Sequence, residues 1–270
     1  MPPRPPPVAT RTPPPPVTGG GSPPPTLLPV TPPVWLFGYG SLIWRPAIPH
    51  TATYDGYITP YRRAFYQAST DHRGTPDAPG RVVTLLSPPA GAPPVAADNH
   101  SWRVYGRAFR LPDADAQAIM ADVDVREQGG YTRTRVTVHP AEGGDQGGGG
   151  GGGGGGKGCL EGVICYVGDA ANPMFRGHTP AEREDAAIAA IIDTAVGPSG
   201  PNDVYLVRLH EALATMGGDP HVAALVAHLR RRRAAREGKE GGREAGGGDG
   251  APLVEPPAAV APPSAVTDGA

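Results

Sequence analysis

The length, composition and charge of this chain limit both the size of its folded part and the ligands that it can attract. Of its 270 residues, 40 are glycine and 36 are proline, many of them in segments with few large apolar side chains. Such segments cannot bury enough surface to offset the entropy of folding. The formal net charge of −2 gives the chain as a whole no field that would attract nucleic acid.

The two ends of the chain differ in composition from its middle. Residues 1–33 are mostly Pro, Thr and Gly, and residues 237–270 are rich first in Gly, Glu, Lys and Arg and then in Ala and Pro. We therefore predict disordered tails at 1–33 and 237–270. The residues between them, 34–236, are enough for one domain with a sizeable core.

Targeting and redox signals are sparse. The two cysteines, Cys159 and Cys165, do not suggest a disulfide framework, and we expect them to be packing residues in a reducing compartment. No apolar stretch approaches the roughly 18 residues of a membrane span, and the N-terminus has no apolar core of a secretion signal. A transit peptide stays open because Arg4 and Arg11 occur there without acidic residues, although the prolines oppose an amphipathic helix. We expect a cytoplasmic monomer without nucleic-acid or membrane partners.

Apolar runs and alternating patterns predict strands in the first two thirds of the chain. The predicted strands lie at 34–37, 54–69 with a break near Pro60, 81–86, 102–111, 132–139 and 159–167. A helix is predicted at 113–125, with Asp113 as its N-cap. The ten glycines at 147–156 lie between the last two strands and predict a flexible hairpin loop, to which we assign no function.

The remainder of the chain has helical patterns. Thr179-Pro180-Ala181-Glu182 has the residues of a capping box, and Ile188, Ile191, Ile192 and Ala195 predict the buried face that follows it. Asn202 or Asp203 is expected to cap a second helix, whose apolar positions are Tyr205, Leu206, Leu209, Leu213 and Met216. Asp219-Pro220 opens a third, which continues through Leu225 and Leu229 to the basic run 230–233. That run is interpreted as a solvated helix end, with a nucleic-acid or membrane contact as the alternative. Strands followed by helices predict an α+β fold with a mostly antiparallel sheet or barrel.

A glycine-rich segment directly after the first predicted strand is the most informative feature of the sequence. Its residues are Phe37-Gly38-Tyr39-Gly40-Ser41-Leu42-Ile43-Trp44. A dinucleotide-binding loop would need a third glycine at Ile43 and a helix immediately afterwards, where Pro46 and Pro49 oppose one. A loop that approaches a small carboxylate closely is the better interpretation, because glycine has no Cβ and successive N–H groups can hold an anion.

Two polar residues outside this loop are candidates for chemistry. Glu127 lies where a helix gives way to Gly129-Gly130, beside apolar neighbours that could raise its pKa into the range of a general acid and base. The alternative is a surface carboxylate paired with Arg126 or Arg133. Arg73 could bind a substrate carboxylate through two hydrogen bonds, or it could be a solvated residue in a turn. No cluster of His, Cys, Asp and Glu has the spacing of metal ligands, so we expect neither a metal nor a cofactor.

Taken together, the motifs resemble the ChaC-type γ-glutamylcyclotransferases, the glutathione-specific family, in order and rough spacing across residues 34–230. Besides the glycine-rich segment, the matching motifs are Gln67-Ala68-Ser69-Thr70-Asp71-His72-Arg73-Gly74, Pro79-Gly80-Arg81-Val82-Val83-Thr84-Leu85, Arg126-Glu127-Gln128-Gly129-Gly130-Tyr131 and Gly197-Pro198-Ser199-Gly200. The tails and the glycine run depart from the family pattern, but they fall outside these motifs.

The resemblance implies a small mixed or antiparallel β-barrel with flanking helices, and cleavage of glutathione to 5-oxo-L-proline and L-cysteinylglycine. It implies that Glu127 is the catalytic acid and base and that the loop from Phe37 through Gly38, Tyr39, Gly40 and Ser41 to Leu42 binds the γ-glutamyl group. Arg73 and Tyr205 are implied as further substrate-binding residues. Action on other γ-glutamyl amino acids or amines is the main alternative, and a non-catalytic binding module with docking tails is another.

Overall fold

The computed structural model describes residues 29–96, 99–127, 131–141, 158–168 and 170–245. The glycine run at 147–156 lies outside the described residues, and so do Gln128, Gly129 and Gly130 of the Glu127 motif. Most of the predicted N-terminal tail and the end of the predicted C-terminal tail also lie outside them. The last described helix continues to Ala245, beyond the predicted domain boundary at residue 236.

Five strands form a closed barrel at the centre of the described structure. They are β1 (Trp35–Gly38), β2 (Ala52–Ile58), β5 (Val104–Arg110), β6 (Tyr131–Pro140) and β7 (Leu160–Gly168), in the order β1-β5-β2-β6-β7. All neighbours are antiparallel except β1 and β7, which close the barrel in parallel at Leu36 and Ile164. The prediction of a small mixed barrel in an α+β fold is confirmed.

A second sheet of two antiparallel strands is separate from the barrel. It contains β3 (Arg62–Ser69) and β4 (Gly80–Leu86). The predicted strand at 54–69 does break near Pro60, but the two halves do not pair with each other: β2 belongs to the barrel and β3 to this smaller sheet. A third, very short hairpin is formed by β8 (Val196–Gly197) and β9 (Gly200–Pro201).

Five helices flank the sheets in the described part of the chain. They are α1 (Ala116–Arg126), α2 (Pro180–Arg183), α3 (Asp185–Thr194), α4 (Asn202–Ala214) and α5 (Pro220–Ala245). The predicted capping box is present, since the Thr179 hydroxyl accepts the Glu182 N–H at 3.2 Å and a Glu182 carboxylate oxygen accepts the Thr179 N–H at 3.0 Å. Helix α5 opens at Asp219-Pro220 as predicted, and the Asp219 side chain accepts the Val222 N–H at 3.1 Å.

Two other predicted caps are wrong. Asp115, not Asp113, occupies the N-cap position of α1, and Asp113 instead pairs with Arg110 at 3.1 Å. At α4 the N-cap is Pro201, and Asn202 uses its side chain to bind the backbone of a distant strand. The partner of Asn202 is 121 positions away in the chain, which the local pattern could not indicate, whereas Asp113 pairs with a partly exposed arginine three positions before it.

Further corrections concern the helices beyond the barrel. The helix predicted after Thr179 is split at Glu184 into α2 and α3, and on α3 Ala189 is buried while Ile191 is only partly buried. The basic run is exposed as predicted, but it is not at a helix end, because α5 continues to Ala245. Arg232 and Arg233 also lie 3.5 and 3.4 Å from the carboxylate of Asp193 on α3. The predicted apolar positions of α4, by contrast, are buried in the main core beside the barrel.

Candidate active site

A cavity of about 510 Å³ lies between the barrel and the layer formed by β3, β4 and α4. The barrel side contributes the end of β1, the loop after it, and residues of α1, β6 and β7. The opposite side contributes β3, the turn after it, β4 and α4. Every site residue predicted from the sequence lines this one cavity: Phe37, Gly38, Tyr39, Gly40, Ser41, Leu42, Arg73, Glu127 and Tyr205.

The loop after β1 is shaped by a short 3₁₀ helix, Ser41–Ile43. The carbonyl of Gly40 accepts the Ile43 N–H at 3.0 Å, so the N–H groups at the start of the turn have no partner within it. Gly40 has a φ of −125°, which lies outside the left-handed region that favours glycine. It is needed for space, because a Cβ there would lie 3.0 Å from the Tyr205 hydroxyl oxygen and 3.1 Å from Cγ2 of Val83.

Tyr39 is buried and fixes this loop on both sides. Its hydroxyl donates to the carbonyl of Tyr166 on β7 at 2.8 Å. Its own carbonyl accepts Nε–H of Arg63 at 3.1 Å, and Arg63 pairs with Asp219 at 2.6 Å. Arg63 is 4% exposed and joins the loop to the start of α5. No local pattern in the sequence marks Arg63 as a site residue, because it is one of two adjacent arginines in a strand with aromatic residues.

Glu127 follows the last residue of α1, and its N–H donates to the carbonyl of Val123 at 2.9 Å. The side chain is partly buried and lines the cavity. Burial raises the pKa of the hydroxyls of Tyr39, Tyr131 and Tyr205, and the nearby Glu127 carboxylate raises each pKa further. For Tyr205 the pKa rises to about 12. The Glu127 carboxylate is therefore close to three tyrosine hydroxyl groups, and these keep their protons at neutral pH.

Tyr205 projects from α4 into the same space. Its hydroxyl oxygen accepts a hydrogen bond from the Val83 N–H, which partly opposes the rise in its pKa. Since that bond uses an acceptor position, the hydroxyl proton is available for another partner. Its ring contacts Trp44 and Phe65 in edge-to-face geometry, with centroid distances of 5.4 and 6.0 Å. These contacts fix the direction of the hydroxyl.

Arg73 lies in the turn after β3. Its N–H donates to the Ser69 hydroxyl at 3.0 Å, its guanidinium donates to the Pro201 carbonyl at 3.1 Å, and the guanidinium carbon lies 5.6 Å from the centre of the Tyr205 ring. Burial lowers the pKa of Arg73. The side chain is thus held at the edge of the cavity rather than left solvated in a turn.

Glycines hold this turn against its neighbours through backbone contact. A Cβ on Gly74 would lie 2.1 Å from the Gly80 nitrogen, and a Cβ on Gly197 would lie 2.3 Å from the His72 oxygen. The Ser199 N–H donates to the same His72 carbonyl at 2.9 Å. Motifs that are far apart in the sequence therefore form one wall because no side chain separates their backbones.

Other cavity residues were not predicted as site residues. They include Arg45, Gln67, Tyr131, Tyr166 and Met174. Gln67 and Tyr131 belong to the family motifs, but no pattern in the sequence marks Met174. The segment of Met174 reaches the cavity by pairing with β3, where the Ala68 N–H donates to the Met174 carbonyl at 2.8 Å. Gln67 is 4% exposed, and its side-chain oxygen has no hydrogen-bond partner among the described residues.

No group of three or more His, Cys, Asp and Glu side chains that could hold a metal ion occurs in the part of the chain that the structure describes. Within those ranges, no helix combines the length and the apolar character that crossing a bilayer requires.

Comparison with known proteins places this arrangement in a family. The pattern of the ChaC-like protein family matches residues 34–232. The chain is 33% identical over 198 residues to the glutathione-specific gamma-glutamylcyclotransferase 1 of Homo sapiens, covering 72% of this chain and 77% of that protein. It is 35% identical to the glutathione-specific gamma-glutamylcyclotransferase of Schizosaccharomyces pombe, covering 73% and 93%.

The fold agrees with a solved relative. A crystal structure of the γ-glutamyl cyclotransferase specific to glutathione from yeast superimposes with a TM-score of 0.59 at 29% identity, covering 73% of this chain and 96% of that one. With a family pattern that spans the barrel, the smaller sheet and the helices around the cavity, this chain belongs to the ChaC-like protein family.

Proposed function

We propose that this protein cleaves glutathione by cyclising its γ-glutamyl unit to 5-oxo-L-proline, with release of L-cysteinylglycine. The observation that carries the proposal is the convergence of Glu127, the Gly38–Leu42 loop, Arg73 and Tyr205 on one cavity. Its volume, about 510 Å³, suits a tripeptide, since small-molecule sites commonly measure about 300–1,000 Å³. The names of the human and S. pombe relatives support the same substrate.

In this reaction the nucleophile belongs to the substrate. The α-amino nitrogen of the γ-glutamyl unit attacks the side-chain carbonyl carbon, forms a C–N bond and closes a five-membered ring. The bond from that carbon to the cysteinyl nitrogen then breaks. The protein's main task is to hold the substrate in the attack geometry, which can contribute about 7–11 kcal/mol to lowering the barrier.

Glu127 is proposed to move the proton. The attacking amine loses a proton as its nitrogen bonds to carbon, and the departing cysteinyl nitrogen needs one. A single carboxylate beside both atoms can accept the first proton and donate the second, so the protons balance without another reactant. The partly buried position of Glu127 among protonated hydroxyl groups suits this role.

Binding of the γ-glutamyl group is assigned to the loop after β1, and the two tyrosines are given different roles. The hydroxyl of Tyr39 is already bonded to Tyr166, so Tyr39 contributes through its backbone in the loop. The hydroxyl of Tyr205 accepts from Val83 and can donate its proton to the substrate. The loop N–H groups are proposed to hold the α-carboxylate, as the start of a helical turn favours anions.

The proposal also covers the oligomeric state, the partners, the compartment and the domain bounds of the enzyme. We propose that the enzyme works as a cytoplasmic monomer, without a metal, a cofactor, nucleic acid or a membrane partner, and that its domain comprises residues 34–236. Light scattering on the purified protein would test the monomeric state, and a stable dimer at micromolar concentration would contradict it.

The decisive experiment is incubation of the purified full chain with glutathione, followed by detection of 5-oxoproline and cysteinylglycine. Glu127→Gln should lower kcat by about 10²–10⁴-fold, because the amide is nearly isosteric but cannot accept the proton. Glu211→Gln, an exposed change of the same type on α4, serves as the matched control and should retain full activity.

Two outcomes would contradict the proposal. Release of cysteinylglycine at the wild-type rate by Glu127→Gln would remove Glu127 from the mechanism. Turnover of other γ-glutamyl amino acids or γ-glutamylamines, with glutathione left intact, would select the alternative substrate class.

A further inference from the structure

Two arginines, Arg45 and Arg73, line the cavity, and a third, Arg208, lies near Arg73. Arg45 follows the loop after β1, is exposed and lines the cavity. Arg73 lies in the opposite wall, and Arg208 is exposed on α4, one turn beyond Tyr205. Burial is the main cause that lowers the pKa of Arg73, and the positive charges of Arg45 and Arg208 lower it further. Arg73 is therefore close enough to both Arg45 and Arg208 to be repelled by their charges.

None of these three arginines is in an ion pair with a described carboxylate, whereas several arginines elsewhere in the fold are. Arg63 pairs with Asp219 and Arg107 with Asp55. Within residues 29–245, wherever the structure describes them, no carboxylate oxygen comes within 4.0 Å of Arg45, Arg73 or Arg208. The carboxylate of Asp203 acts on Arg73 from a distance, but its ion pair is with Arg233.

A group of like charges at the rim of a cavity indicates an anionic ligand. Unpaired cations that repel each other raise the free energy of the empty site, and an anion between them relieves that repulsion. The guanidinium of Arg73 is already oriented by Pro201 and by the ring of Tyr205, so less conformational freedom is lost when its other N–H groups bind a carboxylate.

We propose that Arg45, Arg73 and Arg208 form the subsite for the terminal carboxylate of the departing dipeptide. The inference rests on the proposed function, under which glutathione has two carboxylates. The glycine-rich loop is assigned to the one on the γ-glutamyl unit, and the second must lie toward the rim, where these arginines are. The rim then selects substrates whose leaving group ends in a free carboxylate, and it disfavours γ-glutamylamines.

The test compares glutathione with its C-terminal carboxamide, which has the same shape but no charge at the glycine end. Wild-type kcat/KM for the carboxamide should be lower by about tenfold or more, as for the loss of a charge-assisted hydrogen bond. Arg45→Gln and Arg208→Gln should each lower kcat/KM for glutathione by about 3–10-fold, since exposed charges contribute less than buried ones. Their values for the carboxamide should stay within about twofold of wild type, because the lost charges have no partner there.

Two further measurements separate this role from a structural one. Arg231→Gln, an exposed arginine on α5 without an ion pair among the described residues, is the matched control and should leave both substrates unaffected. Raising the salt concentration should increase KM for glutathione more than for the carboxamide, because screening weakens only the charged contact.

The outcomes distinguish failure of the subsite from failure of the proposed function. Equal kcat/KM for the two substrates in the wild type, or equal losses for both in Arg45→Gln and Arg208→Gln, would overturn the subsite. If neither compound is turned over, the affinities of the full chain for glutathione and for the carboxamide test the subsite. Tighter binding of glutathione that is lost in Arg45→Gln would support the subsite and reject the activity. Absence of any preference would overturn the subsite.

Discussion

The side chain of Asn202 offers the sharpest test of how the cavity wall is held together. This residue is fully buried, and its carboxamide accepts the Arg81 N–H at 2.6 Å and donates to the Arg81 carbonyl at 2.8 Å. The pair joins the first residue of α4 to β4. In Asn202→Ala both bonds are lost, and the polar backbone groups of Arg81, itself 7% exposed, are left buried without that partner.

The magnitude follows from these two bonds. At about 1–1.5 kcal/mol each, with part of the penalty for unsatisfied groups added, the free energy of unfolding should fall by about 3 kcal/mol. For a domain of this size that corresponds to a decrease in Tm of about 6–12 °C. Thermal unfolding followed by circular dichroism measures it. Because Val83, two residues after Arg81, donates to the Tyr205 hydroxyl, kcat/KM for glutathione should also fall at temperatures where the variant is folded.

Asn99→Ala is a matched control that loses the same number of hydrogen bonds at the surface. Asn99 is exposed, and its side-chain oxygen accepts the N–H and the hydroxyl of Ser101 at 3.1 and 2.6 Å. Water can replace these bonds, so the cost should be below about 1 kcal/mol. If Asn202→Ala lowers Tm no more than Asn99→Ala does, the contact between α4 and β4 does not depend on this carboxamide and the reasoning is refuted.

Three other predictions concern the cavity, the core and metals. Gly40→Ala should lower kcat/KM for glutathione by about tenfold or more, because its Cβ would displace the Tyr205 hydroxyl. In the control Gly158→Ala the added Cβ meets open space, so kcat/KM should not change. Equal activity of the two variants would count against the steric role of Gly40. Burial raises the pKa of the Cys165 thiol above its unfolded value of about 8.5, so the protonated thiol stabilises the fold fully below that pH and progressively less above it. Between pH 8 and 10.5, the free energy of unfolding measured in urea should therefore decrease less steeply with pH for Cys165→Ala than for wild type or for Cys159→Ala, whose cysteine is exposed. Identical pH dependences of this free energy would contradict the prediction. Activity should survive dialysis against EDTA, and loss that Zn²⁺ or Mg²⁺ restores would reject the metal-free mechanism.

The sequence predicts well those features that depend on neighbouring residues. The capping box at Thr179, the start of α5 at Asp219-Pro220 and the break near Pro60 are confirmed, because each depends on residues only a few positions apart. The buried stripe of α4 follows from its three- and four-residue spacing for the same reason. The motifs likewise indicated which residues meet at the cavity, although the roles of those residues stay predictions.

Features that depend on distant partners were not accessible from the sequence. The register of β3 does not reveal that it leaves the barrel, since apolar alternation is the same in either sheet. Asn202 has the residue type of a cap, but a distant partner, the backbone of Arg81, competes for its side chain. The same holds for Arg63, whose three contacts come from segments up to 156 positions away in the chain.

The position of the cavity between two separate sheets has a consequence for turnover. One face belongs to the closed barrel and carries the glycine-rich loop, while the other belongs to β3, β4 and α4 and carries Arg73 and Tyr205. Under the proposed binding mode, the glycine-rich loop holds the γ-glutamyl end of an intact glutathione and the arginines hold the other end. Breaking the γ-amide bond leaves two shorter products, and each product keeps only part of these contacts. The chemical step therefore weakens the retention of both products, and release is favoured once the bond is broken.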